Sequence, residues 1–320
     1  MRRLDQIVGA RHGSSGPSID GGWGTPRAKD SGSAVPLISV LTIAGTGRPY
    51  LTKALRSLVS QGVTDWEVIV LDACYDPADS AKVQAQVREV PDERIRLVRY
   101  DQDDVTFPPF ASRKWNVARR HARGDLIAFL DDDDEKDAGW FSAMTAPLLA
   151  EPSLGATVCD GVCIDKDGIR GGVVFFGSAS LDRTSLLRAG FVTTGQILVR
   201  RSVLDEIGGF DDQLGCSEDY DFCLRLSSYP WRRVEGCRSL KRDGVANACY
   251  HQGVNNHTQV ALRRTLVRHG VLDESCSRCG GLAEPLPDDV AAGGWHWRIQ
   301  FSQERSVWEL LCGLPPRHCA

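Results

Sequence analysis

No stretch of this sequence approaches the roughly 20 apolar residues that a membrane-spanning helix needs, so no transmembrane segment is expected. Peripheral contact with a membrane is not excluded by that absence. No apolar segment follows Arg2 and Arg3, so no secretory leader is expected and the expected address is the cytoplasm. Positive charge is not in excess either. Thirty-eight Lys and Arg against 42 Asp and Glu leave a net charge of -4, which offers no basic field to a nucleic acid. Internal repeats are absent. The cysteines number 11, an odd count in a long chain, which argues against a disulfide framework and for reduced thiols. Cys74, Cys159, Cys163, Cys216, Cys223, Cys237 and Cys249 stand among apolar or small neighbours and read as small buried hydrophobes.

What is present suits a soluble α/β protein. Hydrophobic residues make up 42% and charged residues 25% of the 320 positions, enough for a real core. Residues 1–34 are rich in Gly, Ser, Pro and charge, a composition expected to stay disordered. Order is expected from residue 35 to about 258, followed by an extension over 259–320.

Within 35–258 the pattern alternates. LISVLTI (37–43), WEVIVLD (66–72), IRLVRY (95–100) and DLIAFL (125–130) read as strands. YLTKALRSLVSQ (50–61), a polar stretch to about 89, and ASRKWNVARRHARG (111–124) read as helices between them. Continuous apolar strands alternating with helices predict a mostly parallel, Rossmann-like sheet flanked by helices on both faces. Such sheets bind ligands at the carboxyl ends of their strands, where Asp72 and the run Asp131-Asp132-Asp133-Asp134 fall. Further on, 157–168 predicts a strand and a turn, 196–210 a strand into a short helix, and 217–228 a helix with Ser217 as its N-cap. Residues 231–236 predict a strand, and ALRRTLVRHGVL, after residue 258, a basic amphipathic helix.

Four consecutive carboxylates at the end of a buried strand repel one another and are costly without partners. They either cap the next helix or hold a divalent cation. Hard cations take oxygen ligands and bridge a protein carboxylate to substrate phosphates.

The motifs, taken in order, resemble those of the family 2 glycosyltransferases. PLISVLTIAGTGRPYLTKALRSLVSQ resembles the opening strand and helix, with its Arg48-Pro49 turn, and WEVIVLD the second strand with its terminal Asp. NVARRHARGDLIAFLDDDD resembles the segment leading into the Asp-x-Asp (DXD) motif. GFVTTGQILVRRSVLDEIGGFDDQLGCSEDYDFCLRL resembles the acceptor half, with its Gly-Gly-Phe-Asp turn and Glu-Asp pair.

The resemblance implies the GT-A fold and an inverting enzyme that moves a sugar, in the manner of hexosyltransferases, from a nucleotide-diphosphate donor to an acceptor hydroxyl. A UDP-sugar is the implied donor, and the acceptor is a glycan, a lipid-linked saccharide or another hydroxyl compound. The implied cofactor is Mn²⁺ or Mg²⁺. Donor-binding positions are then Thr42, Ala44, Asp72 (base), Asp131 (ribose or sugar) and Asp132. Arg113 and Asn116 lie on a helix expected to reach the diphosphate. Asp133 would hold the metal, with His251 of YHQGVNNHT as a second ligand by a shifted route. Thr194 and Gly195 fall on the acceptor side. Asp219 would be the general base beside Glu218, ionised by the start of its helix.

Ala73 stands where the family usually has a second Asp, and Ala44-Gly45-Thr46-Gly47 where it commonly has a Pro-Thr-Tyr-Asn loop. A nucleotidyltransferase on a related sheet, with Arg48 as its phosphate-loop cation, is the rival enzyme reading. A degenerate, non-catalytic sugar- or nucleotide-binding module is the other. In the extension, Cys276 and Cys279 resemble half of a zinc knuckle, which Cys312, Cys319 or His318 would complete as a structural Zn²⁺ site; the alternative is a small tail with free thiols.

Overall fold

Buried parallel strands must be apolar along their whole length, and the first strands obey this. In the computed structural model, β1 (Ile38–Ala44) is buried at every position but Ile43, and β2 (Trp66–Asp72) at every position. β4 (Leu126–Asp131) is buried until its last residue, Asp131. The structure describes residues 37–100, 110–168, 170–175, 180–188, 192–214, 218–242, 265 and 268–269. Residues 1–34, the His251 segment, the four C-terminal cysteines with His318, the Ser217 cap and most of the basic helix after 258 lie outside them.

Helices α1 (Leu51–Val59), α2 (Pro77–Arg88) and α3 (Ala111–His121) connect the strands, which lie in the parallel order β3 (Ile95–Arg99), β2, β1, β4. Beyond β4 the sheet turns mixed. β8 (Ile197–Arg200) pairs antiparallel with β4 and with β6 (Ala156–Ile164). β9 (Trp231–Arg242) then runs parallel to β6, and β5 (Glu135–Lys136) closes the edge antiparallel to β9. β7 (Arg170–Phe175) pairs with β6 outside this path.

Alternate side chains of a strand face opposite ways, so the sheet separates two cores. Leu41, Ile69 and Phe129 face one, with Trp115 of α3; Val40, Val68 and Ala128 face the other, with Leu55 of α1. An aromatic chain crosses the first core. Trp115 meets Phe129 edge-on at 5.5 Å, Phe129 meets Phe210 edge-on at 5.5 Å, and Phe210 stacks on Phe222 at 4.8 Å. Phe222 belongs to α7 (Glu218–Leu226), so this packing sets α7 against β4. Arg225 of α7 ties it to the turn before Phe210, donating to the carbonyls of Ile207 (2.7 Å) and Gly209 (2.6 Å).

Two glycines are dictated by close approach. A Cβ on Gly124 would lie 2.6 Å from the Ser39 nitrogen, and the Gly124 N–H donates to Ser39 Oγ at 2.7 Å. Gly209 has φ +74 and would place its Cβ 2.5 Å from Asn116 Oδ1. Left-handed backbone at such a contact admits only glycine comfortably.

Three differences from the sequence reading have physical causes. Helix α4 (Trp140–Ala150) is apolar on nearly all sides, WFSAMTAPLLA, and so shows no amphipathic period. The strand predicted to end at Gly236 continues to Arg242: Gly236 is left-handed, the β6–β9 register shifts there, and pairing resumes at Arg238. The short elements β5, β7 and α5 (Arg183–Arg188) carry too few residues for a period. Of the seven cysteines expected to be buried, Cys216 and Cys249 lie outside the described residues. Cys74, Cys159, Cys223 and Cys237 are buried free thiols, and Cys163 is half-buried.

Candidate active site

The acidic run does not cap a helix. Asp134 N–H donates to the Asp131 carbonyl at 3.2 Å, closing a turn between β4 and β5. Helix α4 starts only at Trp140, after Gly139. Asp132, Asp133 and Asp134 are buried while Asp131 is partly exposed. One carboxylate oxygen from each of Asp131, Asp133 and Asp134 lies within 4.8 Å of the others. Such a donor set, all hard oxygen, suits Mg²⁺ or Mn²⁺. The sequence reading assigned Asp133 to a metal and Asp131 to the sugar, and left Asp134 without a role.

The cations that hold this turn come from distant segments. Arg48 donates from Nη1 to Asp133 Oδ2 at 2.6 Å and lies 3.7 Å from Asp132. Lys241 reaches Oδ2 of both Asp131 and Asp134 at 3.1 Å. The Arg242 N–H donates to Asp134 Oδ1 at 2.9 Å, and its Nε to the Asp133 carbonyl at 3.0 Å. Burial, reinforced by Asp133 and opposed by Arg48, pushes the Asp132 carboxyl up to about 8. Burial likewise raises Asp133, and it raises Asp134 to about 7 against the pull of Lys241.

Glu218 and Asp219 open α7 half-buried, near enough for both to feel the charge of Asp131. Burial and the neighbouring Asp219 push Glu218 up to about 8. Burial pushes Asp219 up to about 7, opposed by the Tyr220 N–H and by Lys241, while the Asp131 charge adds to the rise. Loss of hydration thus opposes the helix start that was expected to keep Asp219 ionised. Asp221, two residues on, is fully buried. Burial would raise it, but His269, at 3.1 Å, and Arg225 hold it below the usual range.

Other predicted residues are already engaged. Asp72 accepts from Ser80 Oγ at 2.5 Å and Arg99 Nη1 at 2.7 Å, so its buried carboxylate is committed within β2, β3 and α2. Asn116 donates to the Phe210 carbonyl at 2.7 Å and accepts the Phe210 N–H at 3.0 Å. Its amide braces the Gly-Gly-Phe turn. Arg113 donates to the Asp212 carbonyl at 3.0 Å. The Ala44 carbonyl accepts the Ala73 N–H at 2.8 Å. Thr42 is buried, and its Oγ1 has no hydrogen-bond partner among the described residues. Arg48, the phosphate-loop cation of the nucleotidyltransferase reading, is paired with the acidic turn.

Thr194 and Gly195 lie in a buried 3-10 turn, Thr194–Gln196, just before β8. Lys136, the residue after Glu135 in β5, donates from Nζ to the Gly195 carbonyl and lies 3.4 Å from Ser239 Oγ. Its ammonium sits 4.5 Å over the Trp140 ring, and burial lowers its pKa to about 8. The acidic turn and the Thr194–Gln196 turn are therefore fastened to β9 and β5 by Lys241, Arg242 and Lys136. Lys136, Lys241 and Arg242 escaped the sequence reading. Lys241 and Arg242 fall beyond the predicted end of their strand, and Lys136 looks like one more charge in the polar run DDDDEKD.

Comparison with known proteins bears on this geometry. The family model described as glycosyl transferase family 2 matches residues 39–208, more than half of the chain. The chain belongs to glycosyl transferase family 2. The match starts in β1 and ends at the Gly-Gly turn, so this family's core contains the acidic turn.

Among curated relatives, the O-antigen biosynthesis protein RfbC of Myxococcus xanthus is 26% identical over 78% of this chain. The GalNAc(5)-diNAcBac-PP-undecaprenol beta-1,3-glucosyltransferase of Campylobacter jejuni is 29% identical over 42% of the chain. The chain spans 19% of the length of the first and 40% of the second. S. aureus TarS 1-349, solved in complex with UDP-GlcNAc, aligns with a TM-score of 0.54 at 17% identity, covering 72% of this chain and 65% of that one. The mannosyltransferase PcManGT of Pyrobaculum calidifontis, solved with GDP-Man and Mn²⁺, aligns at 0.53 and 16% identity, covering 75% and 66%. The shared architecture is the GT-A fold. No helix among the described residues is long and apolar enough to cross a membrane.

Proposed function

We propose that this family 2 chain is an inverting glycosyltransferase that moves a sugar from a nucleotide-diphosphate donor to an acceptor hydroxyl with metal assistance. One observation carries the reading: carboxylate oxygens of Asp131, Asp133 and Asp134 cluster within 4.8 Å of one another, and the start of α7 is near enough for Asp219 to feel the charges of Asp131 and Lys241. Leaving-group stabilisation and proton removal need two such groups on different elements. A divalent ion held by Asp131, Asp133 and Asp134 would neutralise charge on the departing diphosphate. Asp219, near 7, is suited to accept a proton at neutral pH, because a base works best with a pKa near the operating pH. Glu218, raised further, holds its proton longer and keeps a second negative charge from building up beside Asp219. Lys136 and the Thr194–Gln196 turn form the acceptor-side wall.

The donor class rests on the solved neighbours, one bound to UDP-GlcNAc and one to GDP-Man. We read the donor as a UDP-sugar. The undecaprenol-linked substrate named for the Campylobacter relative supports a lipid-linked or glycan acceptor. A thermal-shift series of nucleoside diphosphates with and without Mn²⁺ tests the reading, since a ligand that binds only the native state raises its melting temperature. UDP with Mn²⁺ is expected to give the largest rise. No rise with any diphosphate overturns the reading.

A further inference from the structure

Lys241 holds two of the three carboxylates that could hold a metal ion. Its Nζ lies 3.1 Å from Asp131 Oδ2 and 3.1 Å from Asp134 Oδ2, and both residues belong to the three-carboxylate group. An ion bridging those carboxylates needs the space and the oxygen lone pairs that the ammonium now uses. The side chain of Lys241 is 13% exposed and that of Asp134 5%, so repulsion between the ammonium and an incoming dication is poorly screened.

The backbone of Lys241 cannot withdraw. Cys163 of β6 pairs with it in register, and next to it the Arg242 N–H holds Asp134 while the Arg242 guanidinium reaches the carbonyls of Asp133 and Asp165. Any exchange of carboxylate partners therefore falls to the four-carbon side chain. A lysine ammonium is a compact charge on a flexible stem, suited to exchanging partners. Arg48 makes a comparable contact with Asp133, but it approaches from the α1 side and leaves Asp131 to Lys241.

We infer that Lys241 is an internal counter-cation that competes with the divalent metal for Asp131 and Asp134, and so sets the metal affinity of the site. The inference rests on the metal-assisted reading above. When an ion takes the two carboxylates, the displaced ammonium remains close by, where it can follow the negative charge of a diphosphate. Apo protein is thereby spared an uncompensated cluster of buried carboxylates, and metal binding becomes weaker but more dependent on the donor.

Calorimetric titration of Mn²⁺ without nucleotide, into the parent protein, Lys241→Gln and Lys241→Arg, tests this. Lys241→Gln is expected to bind Mn²⁺ about tenfold more tightly or better, because one close, poorly screened like charge is gone. Lys241→Arg keeps the charge and should stay near the parent value. Equal or weaker Mn²⁺ binding by Lys241→Gln overturns the inference.

Because that variant removes the cation shared by two carboxylates and can fail to fold, a second measurement uses the parent chain. Its lysines are dimethylated with a ¹³C label, and the Lys241 resonance is assigned by its loss in Lys241→Arg. That resonance should shift as Mg²⁺ is added. A resonance that stays fixed while Mg²⁺ binds overturns the inference. If the parent binds neither ion, competition and metal assistance fall together. UDP binding measured without metal then still decides the sugar-transfer reading by itself.

Discussion

Nη1 of Arg48 lies 2.6 Å from Oδ2 of Asp133, joining the loop after β1 to the turn after β4. The two residues are 85 positions apart, yet their strands are direct neighbours in the sheet. The pair fixes the central carboxylate of the acidic turn and balances part of its charge. Asp133→Asn keeps the shape and removes the charge. It is expected to abolish Mn²⁺-dependent UDP binding in calorimetry while circular dichroism stays that of the parent. Retained Mn²⁺-dependent affinity would place the metal elsewhere.

Asp219→Asn is expected to lower kcat for sugar transfer by about 10²-fold or more, the usual scale for a lost general base. UDP affinity should be nearly unchanged, since the donor ligands lie on other elements. Loss of UDP binding instead would move Asp219 into the donor site. Asp221→Asn is a poor substitute test, because that carboxylate is locked by His269 and Arg225 and its loss should reduce stability.

The Asp219 value of about 7 sets a pH profile. A base must be deprotonated to work, so kcat should rise as pH increases through about 7 and level off above it. Below that, each unit of acidification should cost about tenfold. A flat profile between about pH 5.5 and 8.5 would contradict the assignment.

Glu67 predicts an acid-sensitive core. Burial would raise its pKa, but bonds from Ser39, Arg123 and Arg96 bring it below the usual glutamate value. Its folded pKa being depressed, the stabilisation is present above the unfolded value of about 4.3 and is lost as pH falls through the folded value. Glu67→Gln should cost about 2 kcal/mol at pH 7 by urea unfolding, with the gap closing below about pH 4. A gap independent of pH would show that shape, not charge, matters there.

Gly209→Ala should destabilise the fold by about 1–2 kcal/mol or more, since φ is +74 and the new methyl would meet Asn116 Oδ1 at 2.5 Å. The melting temperature reads this directly. If the Phe210 turn sets the position of α7, kcat should fall in this variant while UDP affinity holds.

Much of this was already legible in the chain. LISVLTI, WEVIVLD and DLIAFL are apolar without alternation, and only burial on both faces makes such strands soluble. The α/β architecture, the strand ends carrying Asp72 and Asp131, and the start of α7 at Glu218 therefore follow from local pattern, and the motif order points to the family. Local pattern could not show that Asn116 braces Phe210, that Asp72 is committed to Arg99 and Ser80, or that Asp134 joins the acidic group. Those facts depend on contacts between residues far apart in the chain, which sequence spacing does not record.

The sequence by itself determined which residues become buried strands and put four carboxylates at the end of one of them, because hydrophobic burial and its periodicity act locally. Only the tertiary structure decided what answers that charge. Arg48, Lys241 and Arg242 reach Asp131–Asp134 because β1 lies beside β4 and because β9, shifted in register at Gly236, runs on beside β5. Electrostatic energy depends on distance in space and on burial, and both are set by the fold.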